Sequence, residues 1–251
     1  MPNRTEPCAV VLAAGKGTRM KSDLPKVLCP VVDRPMIHFV LDALENAGIR
    51  RQIIVVGYEA DAVKQELASR GGDIEFVLQE EQLGTGHAVQ MAQSALASQL
   101  GPTIVVAGDS PLIQPTSLKK LLDHFAKTKP ALLLGTLKKE NPEGLGRIVR
   151  DSNGSFLGIV EHKDATEEQR KICEVNMSTY LFNTPDLLDS LSKLSNDNTQ
   201  SEYYLTDCPR LLRESGRDVE AIAVLQSCES LSINNPAELE LVDQTMRSMG
   251  Y

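Results

Sequence analysis

Short apolar runs alternate with amphipathic stretches along the first half of the chain, and this alternation restricts the fold more than any other feature. The runs have the length of strands, and the stretches between them carry apolar residues at helical spacing. We predict strands at 9–12, 52–56, 74–78, 103–107 and 131–137, and helices at 36–47, 60–69, 87–97 and 118–126. Repeated βαβα units with apolar strands indicate an α/β fold, with a Rossmann-like, mostly parallel sheet and helices on both faces.

The pattern changes after Leu137, where a loop rich in Gly, Asn and Pro leads into a predicted hairpin of 147–150 and 156–160. Further strands are expected at 175–182 and 219–224, and further helices at 185–194, 208–214 and 236–249. No low-complexity linker or internal repeat is visible, so we expect a single domain over residues 1–251.

A glycine-rich, cationic loop follows the first predicted strand and reads L-A-A-G-K-G-T-R-M-K-S-D-L-P-K-V-L. Gly15 and Gly17 allow a ligand to approach backbone N–H groups closely, because glycine tolerates positive φ. Lys16, Arg19 and Lys26 add positive charge within the same span. Exposed amides and cations at the C-terminal end of a strand make an anion site, and we expect the anion to be a polyphosphate.

The loop does not match the common phosphate motifs. It lacks the Gly-Lys-Ser/Thr of a Walker loop, and Met20 stands where the dinucleotide fingerprint has its third glycine. Glycine spacing alone is equally consistent with a surface turn that carries solvated lysines.

Charge limits the partners of the chain. The net charge is −8 over 251 residues, which argues against a nucleic-acid partner because such proteins favour a basic face. An anionic small-molecule substrate must therefore meet a local cationic pocket, which the glycine-rich loop would provide.

The cysteines and the apolar content indicate a cytoplasmic protein. The five cysteines are scattered and odd in number, and no Cys/His cluster suggests zinc. Free thiols fit a reducing cytoplasm. The N-terminal M-P-N-R-T-E-P lacks the apolar segment of a signal peptide, and no apolar run of about 18 residues predicts a membrane helix.

Further short motifs recur along the chain in a fixed order: E-Q-L-G-T-G-H-A (81–88), G-D-S-P-L-I (108–113), G-R-I (146–148), E-H-K-D-A-T (161–166), E-Y-Y-L-T-D (202–207) and N-N (234–235). With the glycine-rich loop they resemble the sugar nucleotidyltransferases. Within that family they are most similar to the N-acetylglucosamine-1-phosphate uridylyltransferase domain of bacterial bifunctional enzymes. The fuller members continue into a left-handed β-helix that carries an acetyltransferase, and no such hexapeptide repeat is present here.

The resemblance implies a division of the single domain. A nucleotide-binding half would take about 1–137 and a β-rich, sugar-binding half about 138–235, with a terminal helix at 236–251. The second half would fold over the first and close the sugar end of a cleft.

The resemblance also implies residues for the nucleotide. The positions that would line the uracil are Leu12, Ala13, Ala14, Gly15, Gln79, Gly84 and Thr85, and Gly108 would be a further substrate-binding position. Arg19 and Lys26 would be the catalytic cations that meet phosphate. From the residues alone, Thr85 reads equally well as a helix-capping residue, and His87 fits a structural role at the helix start.

A metal site is implied at Asp109, which directly follows a predicted strand. Mg²⁺ commonly binds one or two protein oxygens together with substrate phosphates. The second ligand implied by the resemblance is Asn234, and Asn235 is the competing choice. Without the resemblance, a lone Asp at a strand end would be a loop or cap residue.

For the sugar, the resemblance implies Gly146, Glu161 and Asn176, with Thr206 as a weaker candidate. Glu161 and Asn176 can accept from and donate to sugar hydroxyls and an amide. The segment 202–207 could equally cap the helix that follows it.

Several positions depart from the family pattern. Ala107 and Leu145 stand where the family has tyrosines, Met177 and Ser178 replace Thr-Gly, and Pro236 replaces an arginine. These positions surround the expected sugar and nucleotide walls, so the exact sugar stays open.

The expected activity is a Mg²⁺-dependent uridylyltransferase that makes UDP-N-acetylglucosamine and pyrophosphate, a cell-wall precursor step, by in-line attack of N-acetylglucosamine-1-phosphate on the α-phosphate of UTP. Three alternatives remain. They are the same chemistry with dTTP or another sugar-1-phosphate, a nucleotide-sugar-binding regulatory protein without turnover, and a kinase. A kinase would need a Walker loop and a base near the acceptor hydroxyl, and neither is visible. The oligomeric state stays open.

Overall fold

The computed structural model describes residues 4–251 and confirms the predicted α/β class. The start of the N-terminal segment, residues 1–3, lies outside the described residues. The strands are β1 Cys8–Ala13, β2 Pro30–Val31, β3 Arg34–Pro35, β4 Arg51–Val56, β5 Asp73–Leu78, β6 Thr103–Ala107, β7 Leu132–Lys138, β8 Arg147–Arg150, β9 Phe156–Val160, β10 Glu174–Phe182 and β11 Val219–Ala223. The α-helices are α1 Met36–Asn46, α2 Ala60–Leu67, α3 Thr85–Met91, α4 Gln93–Leu96, α5 Pro115–Thr128, α6 Glu167–Arg170, α7 Thr184–Ser192, α8 Cys208–Glu214 and α9 Pro236–Ser248.

The central sheet is mixed but mostly parallel, with the strand order β11-β7-β10-β6-β1-β4-β5. β10 is the exception, because it runs antiparallel to both β6 and β7. The β8–β9 hairpin joins the sheet through one pairing, between Val175 of β10 and Arg147. The second half of the chain therefore supplies β10 and β11, and the β8–β9 hairpin, to the same sheet as the first half.

Helices cover both faces of the sheet, as the apolar strands predict. Alternate residues of β1 point to opposite faces, so Val10 belongs to one buried cluster and Val11 to the other. The first cluster packs α3, α4, α7 and α8 against the sheet, and the second packs α1, α2 and α5. No helix within residues 4–251 is both long enough and apolar enough to cross a membrane.

The structure corrects the predicted helix at 87–97, which is two helices. The first begins at Thr85, two residues earlier than expected, and the backbone breaks at Ala92 with φ −83° and ψ −2°. The β2–β3 hairpin was not predicted, because strands of two residues are too short to show a period.

Candidate active site

The expected functional residues gather at one edge of the sheet. β1, β4, β5 and β6 are parallel, so their carboxyl ends meet there. Because β10 is antiparallel to β6, its first residues reach the same edge. Ligands of open α/β sheets bind at this edge.

The loop after β1 is shaped by a glycine that packs against Lys26. Gly17 has φ +63°, and a Cβ built on it would lie only 2.6 Å from Lys26 Cβ. Any other residue would be strained at this φ and would also displace the lysine. Gly15 is exposed, and a Cβ there would meet nothing within 4 Å.

Lys26 Nζ lies at the centre of a polar cluster formed from three separate parts of the chain. It makes an ion pair with Asp109 Oδ2 and donates to Asn234 Oδ1 over 2.8 Å. Arg19 Nη2 also donates to Asn234 Oδ1, over 3.3 Å. The structure therefore brings together both predicted phosphate cations and both predicted metal ligands.

A buried apolar cluster beneath these side chains holds the three loops in place. Met20, Leu112 and Ile233 are buried in it, and they lie next to or near Arg19, Asp109 and Asn234 in the sequence. The backbone N–H of Ile233 also donates to the carbonyl of Asp109 over 3.2 Å. Met20, at the position where a dinucleotide fingerprint has glycine, thus anchors the loop.

The structure distinguishes the two adjacent asparagines. The Asn235 side chain accepts from the backbone N–H of Glu238 over 3.0 Å and caps α9. Asn234 donates through Nδ2 to Ser232 Oγ over 3.1 Å, which turns its Oδ1 towards Lys26. Asn234 is therefore the one placed beside Asp109.

This oxygen pair fits a hard divalent cation. Asp109 Oδ2 and Asn234 Oδ1 both contact a single ammonium group, so they lie close enough together to share one ion. In residues 4–251 no cluster of three or more His, Cys, Asp or Glu side chains could hold a metal. A site of two protein oxygens completed by phosphate oxygens is the arrangement that Mg²⁺ uses.

The loop backbone at Ala14 is fixed by residues that the sequence analysis did not select. The Ala14 carbonyl accepts from Tyr58 N–H over 3.1 Å and from Gln82 Nε2 over 2.9 Å. A Cβ on Gly57 would lie 2.8 Å from the same carbonyl oxygen. Gln82 belongs to the E-Q-L-G-T-G motif, which was the available signal, whereas Gly57 and Tyr58 carry no motif.

Gln79, at the end of β5, is buried, and its amide group has a fixed orientation. Its Nε2 donates to the Gly84 carbonyl over 3.1 Å and lies 3.1 Å from His87 Nδ1. The amide nitrogen is thus used within the protein, and the carbonyl oxygen is the group left for a ligand. His87 has the structural role expected of it.

The capping interpretation of Thr85 is wrong. Gly84 is the N-cap of α3, and the Thr85 hydroxyl accepts from the backbone N–H of Leu205 over 3.2 Å. Asp207 is the N-cap residue of α8, but it makes no side-chain capping bond. The segment 202–207 instead packs on the Gly84 turn, where Tyr203 exchanges backbone hydrogen bonds with Leu83 and Gly86.

The sugar-side candidates also converge. Asn176 N–H donates to the Gly146 carbonyl over 2.9 Å, and a Cβ on Gly146 would lie 3.4 Å from Glu161 Oε1. Asn176 Nδ2 donates to the Tyr180 hydroxyl over 2.8 Å. Burial raises the pKa of Tyr180 far above its ordinary value, so this phenol stays protonated. Thr206 makes no hydrogen bond to Gly146, Glu161 or Asn176 in the described part of the chain.

Two of the positions that depart from the family pattern, Leu145 and Met177, directly precede Gly146 and directly follow Asn176 in the sequence. Leu145 and Met177 both pack on the buried cluster of Leu137, Val175 and Leu225. Asn176 itself bonds to Tyr180, which belongs to the first buried cluster, so its side chain and that of Val175 lie on opposite faces of β10.

The fold and the site together define an α/β protein whose glycine-rich, cationic loop faces a carboxylate and an amide. Residues 8–226 match the family model described as nucleotidyl transferase. The chain belongs to the nucleotidyl transferase family, a family of enzymes, which confirms the resemblance noted in the sequence.

Curated relatives agree with this assignment, and one solved structure shares the fold. The chain is 44% identical over 239 residues to the bifunctional protein GlmU of Exiguobacterium sibiricum, which covers 95% of this chain and 53% of that protein. It is 45% identical over 240 residues to the bifunctional protein GlmU of Lactococcus lactis, which covers 95% of this chain and 52% of the relative. The chain thus spans about half the length of the curated relatives it matches. A crystal structure of UDP-glucose pyrophosphorylase with UDP-glucose has a TM-score of 0.77 at 19% identity, covers 98% of this chain and 99% of that one, and shows the same fold.

Proposed function

We propose that the chain is a Mg²⁺-dependent uridylyltransferase that converts UTP and N-acetylglucosamine-1-phosphate to UDP-N-acetylglucosamine and pyrophosphate. The carrying observation is the convergence of Arg19, Lys26, Asp109 and Asn234 at the end of the glycine-rich loop. The family assignment supports the reaction class, and the resemblance of the sequence motifs supports this choice of substrates. We further infer that residues 1–251 form one catalytic domain, since both halves contribute strands to one sheet. Its free cysteines favour the cytoplasm.

The chemistry needs no protein base. A sugar-1-phosphate is mostly a dianion at neutral pH, because its second pKa is about 6. One of its oxygens attacks the α-phosphorus of UTP in line, the bond to the bridging oxygen breaks, and pyrophosphate leaves. The protein must chiefly hold two anions together, and Lys26 and Arg19 would stabilise the charge on the transferring phosphoryl group. A Mg²⁺ ion bound by Asp109 and Asn234 would add positive charge there.

The nucleobase would be chosen by the loop backbone and Gln79. Because the Gln79 amide nitrogen is held by Gly84 and His87, its carbonyl oxygen can accept a hydrogen bond from a base. The N3–H of uracil or thymine donates, whereas N3 of cytosine accepts. We therefore expect UTP and dTTP to be preferred over CTP.

The sugar would lie against Gly146, Glu161 and Asn176. Because Leu145 and Met177 depart from the family pattern next to these residues, the assay below compares two sugar-1-phosphates.

Pyrophosphate release tests the proposal. Wild-type protein is assayed with UTP, dTTP, CTP and ATP, each with N-acetylglucosamine-1-phosphate or glucose-1-phosphate, with Mg²⁺ and with EDTA. We expect the highest kcat/KM for UTP with N-acetylglucosamine-1-phosphate and no activity in EDTA. Lys26→Ala should lose about 100-fold in kcat or more, whereas Lys119→Ala, at an exposed lysine of α5, should not.

Two outcomes would change the proposed function. Faster turnover with dTTP or glucose-1-phosphate would keep the reaction class and change the substrate. Binding of UDP-N-acetylglucosamine without pyrophosphate release from any pair would favour a regulatory binding protein.

A further inference from the structure

Arg147, in the G-R-I motif, is a buried cation that the proposed reaction does not use. Only 1% of its surface is exposed, and it is among the largest fully buried side chains of the described residues. Its guanidinium donates to the Leu145 carbonyl through Nη1, and Nη2 lies 3.2 Å from His162 Nδ1. The Nε atom is buried without a hydrogen-bond partner. Within residues 4–251, Arg147 takes part in no ion pair, unlike Arg150 on the same strand.

This arrangement is unfavourable for stability alone. A buried charge costs several kcal/mol unless it is paired, and proteins usually pair it with a carboxylate. Arg150, three residues later on the same strand, shows the usual arrangement, with hydrogen bonds from Nε and Nη2 to Glu174 over 2.8 and 2.6 Å. Arg147 instead bonds to neutral acceptors.

The two bonds of Arg147 flank the sugar-side candidates. Leu145 directly precedes Gly146, and His162 directly follows Glu161. Gly146 and Glu161 are themselves close, because a Cβ on Gly146 would lie 3.4 Å from Glu161 Oε1. The guanidinium is a planar group with fixed N–H directions, so it fixes two partners relative to each other in a way that a flexible side chain cannot.

We propose that Arg147 is a positioning residue that holds Gly146 and Glu161 at the spacing needed to bind the sugar. This inference rests on the proposed function, because it assigns a role within the same site. Arg147 does not contact the substrate, and it acts through the Leu145 carbonyl and the His162 ring. The affinity contributed by contacts to the sugar should therefore depend on Arg147, whereas the affinity for the nucleotide should not.

Calorimetry with UDP and with UDP-N-acetylglucosamine tests this without turnover. The Kd of UDP divided by the Kd of UDP-N-acetylglucosamine measures the affinity that the sugar adds. Arg147→Met, which keeps an unbranched apolar chain, should reduce this ratio by about tenfold and leave the Kd of UDP within about twofold. Arg147→Lys keeps the charge but not the planar fork, and we expect an intermediate loss.

The control is a second buried arginine away from the site. Arg51 begins β4, at the opposite edge of the sheet, and bonds to Gln99, Glu75 and the Ala95 carbonyl. Arg51→Met should lower the melting temperature and leave the Kd ratio unchanged. His162→Leu should reduce the ratio more than His162→Gln, which keeps an acceptor.

An unchanged ratio in folded Arg147→Met protein would overturn the inference, and so would an equal loss in Arg51→Met. Where the wild type releases pyrophosphate, the KM for N-acetylglucosamine-1-phosphate should rise in Arg147→Met and the KM for UTP should not. If the wild type binds the nucleotide sugar but releases no pyrophosphate, the proposed reaction fails while the Kd ratio still decides the role of Arg147.

Discussion

Replacing Gly17 by alanine should disable Lys26 while leaving the fold intact. The new Cβ would lie 2.6 Å from Lys26 Cβ, whereas carbon atoms in contact keep about 3.5–4.0 Å. One of the two backbones must therefore move by about 1 Å. A displacement of that size at a reacting centre can cost about 100-fold in rate. We expect kcat/KM for UTP and N-acetylglucosamine-1-phosphate to fall by about that factor.

The conformational cost of the same substitution can be separated from the displacement. Gly48, just after α1, has φ +92° and would meet nothing within 4 Å as alanine. Both Gly17→Ala and Gly48→Ala should lose about 1 kcal/mol from the left-handed backbone, or about 2–4 °C in melting temperature. Only Gly17→Ala should lose activity. Equal kcat/KM values for the two variants would refute the reasoning that Gly17 makes room for Lys26.

Three further predictions concern metal, pH and thiols. Asp109→Asn should raise the Mg²⁺ concentration needed for half-maximal activity, and an unchanged titration would remove Asp109 from the metal site. Burial alone would raise the pKa of Glu174, but hydrogen bonds from Arg150 and a threonine lower it below its ordinary 4.5. The stability that Glu174 contributes is thus present above pH 4.5 and is lost as pH falls through the lower folded-state pKa. In urea unfolding, the free energy of unfolding of the wild type should therefore exceed that of Glu174→Gln by less as the pH is lowered. A difference that grows on acidification would show that the sign of the pKa shift is wrong. Burial raises the pKa of the Cys208 thiol to about 12, so a thiol reagent at pH 8 should label exposed Cys173 and spare Cys208, as peptide mapping would show.

Much of the fold could be predicted from residue periodicity, because β1, β4, β6, β7 and β10 are largely buried on both faces and therefore apolar throughout. The direction of β10 could not, since apolar periodicity is the same in parallel and antiparallel strands. Its register shift between Asn176 and Thr179, with Ser178 at φ +54°, depends on pairing with β7 and has no local signal.

The site divides in a similar way. Lys26 and Asp109 lie in recognisable motifs beside strand ends, and the structure brings them into contact. Local spacing makes helix capping a plausible role for the Thr85 hydroxyl, but a residue 120 positions away supplies its partner. Arg147 likewise contacts His162 on another segment, and Gln82 donates to the Ala14 carbonyl in the glycine-rich loop. Such partners cannot be read from spacing.

Charge at the site explains why cations of the chain alone are not enough. Arg19 and Lys26 contribute +2 and Asp109 contributes −1, which leaves +1 where they meet. A sugar phosphate alone brings nearly −2 at neutral pH, and a nucleoside triphosphate brings more. Holding the two substrates together therefore requires added positive charge. A divalent cation bound by the oxygens of Asp109 and Asn234 could supply it. Removal of divalent cations should accordingly weaken the joint binding of both substrates more than the binding of either one alone. Calorimetric titration of the sugar phosphate into the UTP-bound protein, with and without EDTA, would measure this difference.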